Sequence, residues 1–102
     1  MKILFNRQKD ALYIKLSGEL DEHSASNARR EADRLADNHA DCSRVIFDLS
    51  DVSFMDSTGI GFLIGRYKKF NRYGVKSYIT NPSQTTDKIL AMSGVYSLIQ
   101  KL

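Results

Sequence analysis

The first twenty residues alternate between apolar and polar side chains in the pattern of a β-hairpin. Residues 12–16 place an apolar side chain at every second position, which is the period of a strand with one buried face. A shorter apolar run at 3–5 comes before them, and the polar segment 8–10 between the two runs is typical of a turn. We therefore expect an antiparallel pair of strands, the second of which ends at Ser17 and Gly18.

A helical pattern of apolar residues follows, through a strongly charged segment. Asp21 precedes this segment and is a good candidate for the N-cap of the helix. The apolar positions recur at helical spacing and are mostly small: Ala25, Ala28, Ala32, Leu35 and Ala36. Such a stripe predicts a surface helix that packs closely against a sheet.

The middle of the chain predicts a buried strand followed by a second helix. Residues 45–49 are almost continuously apolar, as in a strand at the centre of a sheet. The helix is expected from about Ser57 to Arg72, with Gly74 at the position that favours glycine after a helix. Residues 75–80 then return to the pattern of a strand.

The last quarter of the chain predicts a third helix and a final apolar segment. Pro82 is expected in the first turn of that helix. Its expected apolar side comprises Ile89, Leu90 and Met92. Residues 96–102 are expected to form a last strand or a short helix. The order β-β-α-β-α-β-α over residues 1–102 predicts a single α/β domain with a mixed sheet.

The start of the second helix is unusual because three glycines interrupt it, each at a cost of about 1 kcal/mol relative to alanine. Asp56 is the best N-cap, so the hydroxyl of Ser57 is not needed for capping and faces solvent. Helical spacing assigns four residues to the core side: Ile60, Leu63, Ile64 and Tyr67. A neighbouring face gathers Ser57, Gly61, Gly65, Lys68 and Arg72.

Two explanations of Gly61 and Gly65 stay open from the sequence. The glycines clear a surface on which another chain docks beside Ser57, or they let the helix lie tightly on its own sheet. Ser57 also has two interpretations. It is an ordinary first-turn residue, or it is a phosphorylation site, since helix amides tolerate a phosphate that adds about −1.5 to −2 charge.

Composition excludes several classes of function. The chain has 102 residues and a net charge of +3, with its lysines and arginines dispersed rather than gathered in the basic stripe of a nucleic-acid-binding protein. One cysteine leaves no internal disulfide and suits a reducing compartment. The sequence contains neither a signal peptide nor a membrane-spanning apolar run. We expect a cytoplasmic protein that binds neither nucleic acid nor membrane.

No catalytic, cofactor or metal motif is complete. The glycines from Gly59 to Gly65 miss the dinucleotide-binding fingerprint by one residue, and 55–59 lacks the first glycine of a nucleophile elbow. His23 and His39 have no metal-ligand spacing. Three acids flank a turn more plausibly than they bind a cation: Asp48, Asp51 and Asp56. A small hydrolase using Ser57 and a nucleotide-binding module are therefore the weaker hypotheses.

Several blocks of the sequence together resemble the STAS domain of anti-sigma factor antagonists. They are GELD at 18–21, VIFDL at 45–49, VSFMDSTG at 52–59, GRYK at 65–68 and MSG at 92–94. The resemblance covers nearly the whole chain and is most specific at FMDSTG with GRYK downstream. It is nearest to the antagonists of the anti-sigma F factor in endospore-forming bacteria.

This resemblance implies a STAS fold, a mixed four- to five-stranded sheet with helices packed mainly on one face. It implies a regulator rather than an enzyme, without a cofactor. The unphosphorylated protein binds an anti-sigma factor with serine-kinase activity and so frees the sigma factor. The kinase phosphorylates the antagonist, which ends the binding, and a PP2C-type phosphatase reverses the modification. The alternative function is a STAS interaction module for a different sigma-factor or transport system.

The family's functional positions can be located in this sequence. The resemblance implies that the phosphorylated residue is Ser57. It implies a kinase-binding surface formed by Asp21, Asp56, Ser57, Thr58, Gly59 and Gly61, to which the helix face adds Gly65. Relatives often carry a further strand and helix after the MSG block, so here we expect a short last strand and no final helix.

Overall fold

The computed structural model describes residues 1–102 as one five-stranded sheet with three α-helices. The strands are β1 (Lys2–Gln8), β2 (Ala11–Leu20), β3 (Arg44–Met55), β4 (Lys76–Thr80) and β5 (Gln100–Lys101). The helices are α1 (Glu22–Asn38), α2 (Ser57–Arg72) and α3 (Gln84–Ser93), and a 3-10 turn covers Val95–Ser97. The strands lie in the order β1-β2-β3-β4-β5, with β1 antiparallel to β2 and all other neighbours parallel. The mixed sheet and the hairpin are confirmed.

The order of the strands puts all three helices on one face of the sheet. Each connection from β2 onward moves one strand further in the same direction, and such crossovers are right-handed in nearly all proteins. The burial of side chains along β2 agrees with helices on one face only. Leu12, Ile14 and Leu16 are fully buried beneath the helices, whereas Tyr13 and Lys15 on the other face are partly exposed.

The alanine stripe of α1 is confirmed as the surface that packs on the core. All five of its predicted residues are buried. Small side chains let the axis of α1 approach the sheet, and larger residues fill the space under α2. Phe47 of β3 and Phe70 of α2 meet there edge to face, with ring centroids 6.1 Å apart.

Two predicted boundaries are wrong. β2 does not end at Ser17 and Gly18 but continues to Leu20. Gly18 adopts a positive φ of +100°, and the pairing of β2 with β3 shifts by one register next to it. Only glycine adopts that backbone conformation without strain, so the irregularity bends the strand without ending it. In α3, Ser83 is the N-cap and its side chain accepts from the Thr86 amide, so Pro82 lies before the helix rather than in its first turn.

The apolar side predicted for α3 is also partly wrong. Leu90 is fully buried and Ile89 is half-buried, but Met92 is 87% exposed. On a helix that turns about 100° per residue, Met92 lies about 160° from Leu90. It therefore projects away from the core.

The buried face of α2 is displaced from the expected one. Leu63 is buried as predicted, but Phe62, Arg66 and Phe70 share that face. The other residues expected there are half-buried at the margin of the core: Ile60, Ile64 and Tyr67. Arg66 occupies an interior position because its Nε lies 2.8 Å from Asp33 Oδ1 of α1 and its guanidinium lies 5.1 Å from the centre of the Phe62 ring. A pattern of apolar residues cannot reveal a buried cation.

The glycines of α2 serve two different purposes. Gly59 is buried, and a Cβ there would lie 2.5 Å from Met55 Cγ and 2.9 Å from the Leu20 carbonyl oxygen. A Cβ at Gly61 or Gly65 would meet no atom within 4 Å. Close packing of the helix on its own sheet therefore explains Gly59 only.

Both Asp21 and Asp56 are N-caps, as predicted. Asp21 Oδ1 accepts hydrogen bonds from the amides of His23 and Ser24, and Ser24 Oγ accepts one from the Asp21 amide in return. Partial desolvation raises the pKa of the Asp21 carboxyl, but the hydrogen bonds from Ser24 and His23 outweigh that effect and leave the pKa below its usual value. The cap of α1 therefore favours the ionised acid.

We expect substitution by alanine to destabilise the fold at Gly59 and to stabilise it at Gly61 and Gly65. Gly59→Ala should lower the free energy of unfolding by about 1–3 kcal/mol, because its methyl group collides with the Leu20 carbonyl. Gly61→Ala and Gly65→Ala, the matched controls, should each raise it by about 0.5–1 kcal/mol through helix propensity. Urea unfolding measures all three changes. Equal effects at Gly59 and Gly61 would contradict this assignment.

The cap at Asp21 should make stability depend on pH in the acidic range. A carboxyl whose pKa is lower in the folded chain stabilises the fold above its unfolded pKa of about 4 and loses that contribution as the pH falls through the folded value. Asp21→Asn keeps an oxygen acceptor but removes the charge. The stability difference between wild type and Asp21→Asn should therefore shrink between pH 6 and pH 3 in urea titrations. A difference that stays constant over this range would refute the account.

Candidate functional site

Two strand ends bring two helix N-termini together at one edge of the sheet. Leu20 of β2 and Met55 of β3 are paired residues in the parallel register, and each is followed immediately by a capping aspartate, Asp21 or Asp56. Neighbouring strands are about 4.8 Å apart, so the starts of α1 and α2 are neighbours. We call this end of β2 and β3 the carboxyl edge. It unites residues that are far apart in the sequence.

Ser57 is the first residue of α2 and is exposed at the carboxyl edge. Asp56 Oδ1 accepts hydrogen bonds from the Thr58 amide at 2.9 Å and from the Gly59 amide at 3.3 Å. The hydroxyl of Ser57 makes no hydrogen bond within the chain. The cap is complete without that hydroxyl, which is free to react or to contact another molecule.

The other residues expected on the binding surface divide into exposed and buried positions. Gly61 is exposed, Gly65 and Thr58 are half-buried, and the same side of α2 continues to Lys68 and Arg72. The prediction that Gly59 belongs to the binding surface is wrong, because Gly59 is buried against Leu20 and presents little surface to another molecule. Its part in the site is to let α2 begin close to β2, which sets the position of Ser57.

The acids near the site do not converge on a cation. Asp48 Oδ1 accepts from the Ser50 amide at 3.0 Å, and Asp51 Oδ2 lies 3.4 Å from Lys15 Nζ. No cluster of three or more histidine, cysteine, aspartate or glutamate side chains has the geometry to hold a metal ion. None of the helices is both long and apolar enough to span a membrane.

The two histidines and the cysteine make no hydrogen bond to Ser57. His39 caps the end of α1, where its Nδ1 lies 3.1 Å from Arg7 Nη1 and its ring packs near Phe5. Cys42 is buried, and its burial raises the pKa of the thiol. His23 is exposed in the first turn of α1, and its amide donates to Asp21. No base is therefore hydrogen-bonded to the hydroxyl of Ser57, as a nucleophilic serine requires.

A groove beside Ser57 is the feature that the sequence analysis missed. It lies between the start of α2 and the outer side of α3, has a volume of about 400 Å³, and is shallow and widely open to solvent. Its apolar lining is formed by Met55, Ile60, Ile89 and Met92, and its polar lining by Asp56, Ser57 and Ser93. The helical positions of Ile89 and Met92 relative to Leu90 could have revealed it, since both fall to one side of the buried stripe.

The chain matches the STAS domain family over residues 2–102. It is 30% identical over 99 residues to the anti-sigma F factor antagonist of Paenibacillus polymyxa, which covers 97% of this chain and 84% of that protein. It is also 30% identical over 93 residues to the anti-sigma-B factor antagonist of Bacillus subtilis, covering 91% of this chain and 83% of that protein.

Solved structures share the fold. The anti-sigma factor antagonist SpoIIAA in its unphosphorylated form matches with a TM-score of 0.80 at 24% identity, covering 99% of this chain and 88% of that chain. The Bacillus cell fate determinant SpoIIAA in the phosphorylated form matches with a TM-score of 0.71 at 25% identity, covering 99% of this chain and 91% of that chain. The STAS domain of a SulP transporter from Vibrio cholerae matches with a TM-score of 0.70 at 24% identity, covering 92% of this chain and 71% of that chain. This match shows a common fold alone.

These matches agree with the arrangement of the site, which offers an exposed serine at the start of a helix. They extend over almost the whole chain and include two antagonists at 30% identity. This chain belongs to the STAS domain family and, within it, to the anti-sigma factor antagonists.

Proposed function

We propose that this protein binds an anti-sigma factor through the carboxyl edge and that phosphorylation of Ser57 ends the binding. The observation that carries the proposal is the hydroxyl of Ser57, which is exposed and unbonded at the start of a helix capped by another residue. The anti-sigma factor is a serine kinase, and its release of the sigma factor follows from capture by the unphosphorylated antagonist. The protein acts in the cytoplasm.

The covalent step uses groups that the kinase supplies. The Ser57 oxygen attacks the γ-phosphorus of ATP, the new Oγ–P bond forms as the bond to ADP breaks, and the hydroxyl proton passes to a base on the kinase. A PP2C-type phosphatase later hydrolyses the Oγ–P bond and restores the hydroxyl. The antagonist contributes the nucleophilic oxygen of Ser57 and its position, and the kinase contributes the base and the ATP.

A phosphate on Ser57 changes the surface while the fold stays intact. The amides of Thr58 and Gly59 are already bonded to Asp56, so the cap does not depend on the modified oxygen. The positive end of the α2 dipole offsets part of the new charge. The phosphate adds about −1.5 to −2 charge beside the Asp56 carboxylate, and the part that the dipole does not offset opposes any partner whose docked surface excludes water.

The partner-binding surface comprises the exposed and half-buried residues around this serine. Asp21, Asp56, Ser57 and Thr58 present polar groups from two adjacent helix starts, and Gly61 and Gly65 leave the backbone of α2 accessible. Backbone without side chains allows close approach of another chain. The open space above both glycines supports this function for them. Gly59 supports the surface from inside.

The families of the two curated relatives bear on the choice of sigma factor. One relative is an antagonist of an anti-sigma F factor and the other of an anti-sigma-B factor, at the same identity of 30%. The FMDSTG block with GRYK downstream is nearest to the antagonists of the anti-sigma F factor, and this resemblance favours the anti-sigma F class. We propose that class, with sporulation as the process it regulates.

Two substitutions at Ser57 distinguish the effect of losing the hydroxyl from the effect of adding a negative charge. Ser57→Ala should bind the anti-sigma factor of the same organism as tightly as wild type, within about threefold, and should take up no phosphate. Ser57→Asp should bind about tenfold or more weakly, because a carboxylate is desolvated in the interface. Titration calorimetry measures both affinities, and mass spectrometry after incubation with ATP measures phosphate.

Thr58→Ala is the matched control for the modification, since it removes the neighbouring hydroxyl and leaves the Asp56 cap in place. It should gain one phosphate per chain, like wild type. Phosphate on the Ser57→Ala variant, or none on the Thr58→Ala variant, would place the acceptor at Thr58 and overturn the proposal.

A further inference from the structure

The sheet has one face that no helix covers. All three helices pack on the other face, although β2, β3, β4 and β5 are parallel neighbours. Sheets of parallel strands are almost always covered on both faces. We call the uncovered side the open face. Its residues are Leu4 and Asn6 of β1, Ala11, Tyr13 and Lys15 of β2, Arg44, Ile46 and Asp48 of β3, Lys76, Tyr78 and Thr80 of β4, and Gln100 of β5.

The centre of the open face is apolar. Ile46 lies on the middle strand and is only 2% exposed, flanked by its register partners Tyr13 and Tyr78. Those two tyrosines are only half-buried, and Leu4 on β1 is 48% exposed. Apolar and aromatic side chains therefore form a row across three strands, and the outer side of this row meets solvent. An exposed apolar surface of this kind is a feature of interaction sites.

Two charges of opposite sign lie at equal distances from this centre. Arg44 precedes Ile46 by two residues and Asp48 follows it by two, so each is about 6.6 Å from Ile46 along β3. Neither takes part in an ion pair within the chain. One carboxylate oxygen of Asp48 accepts from the Ser50 amide, and the other makes no hydrogen bond within the chain. Turning β3 end over end about Ile46 exchanges the positions of the cation and the anion.

From this geometry we infer that the open face binds the open face of a second copy of this chain, so that the protein forms a symmetric dimer. A two-fold axis that runs across the strands through Ile46 places Arg44 of each copy opposite Asp48 of the other. Sheets that pack face to face are about 10 Å apart, a gap that an arginine and an aspartate side chain can bridge together. The apolar centres of the two faces then cover each other.

The neighbouring strands are compatible with the same axis. It places Lys15 of β2 opposite Ala11 and Lys76 of β4 opposite Thr80, since each pair lies symmetrically about the central row. No two like charges on these strands therefore lie directly opposite each other. The strands of the two copies run antiparallel, and their directions stay close enough for the aligned packing of two twisted sheets.

Charge selects this orientation over the other symmetric one. An axis along β3 instead would place Arg44 opposite Arg44 and Asp48 opposite Asp48, and such repulsion excludes an alternative interface. In the favoured orientation the carboxyl edges of the two copies point in opposite directions, so the hydroxyl of Ser57 stays exposed in both. The dimer therefore goes beyond the proposed function and does not depend on it.

The size of the open face predicts a weak dimer. Five strands at a spacing of about 4.8 Å, with about six residues of the longer strands, give a face of roughly 24 Å by 20 Å. Two such faces bury about 1,000 Å² in total, which is near the lower limit for a specific interface. We therefore expect a dimer that forms reversibly in the micromolar range.

Reversal of the two charges tests the pairing. In sedimentation velocity, wild type should pass from monomer to dimer as its concentration rises from low micromolar to submillimolar. Arg44→Asp and Asp48→Arg each place like charges opposite each other and should weaken dimerisation about tenfold or more. The double variant, Arg44→Asp with Asp48→Arg, exchanges the charges and should dimerise within about threefold of wild type.

Lys88→Asp is the matched control for charge. Lys88 is exposed on α3, on the covered side of the sheet, and its reversal changes the net charge by the same amount as Arg44→Asp. It should dimerise like wild type, as should Ser57→Asp at the carboxyl edge. Thermal unfolding of every variant separates a loss of the dimer from a loss of the fold.

The contact can also be followed without substitution. The amide NMR signals of Tyr13, Ile46 and Tyr78 should shift as the concentration of wild type rises. A wild-type chain that stays monomeric, or a folded double variant that does not regain the dimer, overturns the inference. Shifts of these signals only on addition of the purified anti-sigma factor would assign the open face to that partner and overturn the second copy as its occupant.

Discussion

The carboxylate of Asp56 holds the first amides of α2, and the properties of the neighbouring serine follow from that cap. With Thr58 and Gly59 bonded to Asp56, the helix start needs nothing from the hydroxyl of Ser57. A serine that capped its own helix would have its oxygen engaged by the helix amides and less available to another molecule. Separating the capping group from the modifiable group allows the surface to change charge while the fold beneath it stays the same.

The position of this cap depends on the parallel pairing of β2 and β3. The two strands end together at Leu20 and Met55, which brings Asp21 and Asp56 to one edge. Gly59 completes the arrangement, since only a residue without a side chain lets α2 begin against the Leu20 carbonyl. The site is therefore built from backbone register and one close contact, and its outward residues are left free for recognition.

Most of the fold was predictable because its signals are local. The alternation in β2, the alanine stripe of α1 and both aspartate caps are visible within a few residues of sequence. What escaped prediction depends on contacts between distant segments. The interior position of Arg66 requires Asp33 on another helix, and the continuation of β2 past Gly18 requires a shift of register against β3. The groove beside Ser57 likewise forms only when α3 packs next to α2.

The central claim is that a phosphate on Ser57 abolishes docking without disturbing the fold. The most direct measurement compares the unmodified chain with the chain fully phosphorylated on Ser57, using titration calorimetry against the anti-sigma factor and thermal unfolding of each form. We expect strong binding by the unmodified form, a loss of affinity of about tenfold or more in the phosphorylated form, and closely similar unfolding temperatures. Equal affinities, or a phosphorylated chain that has lost its cooperative unfolding, would contradict it.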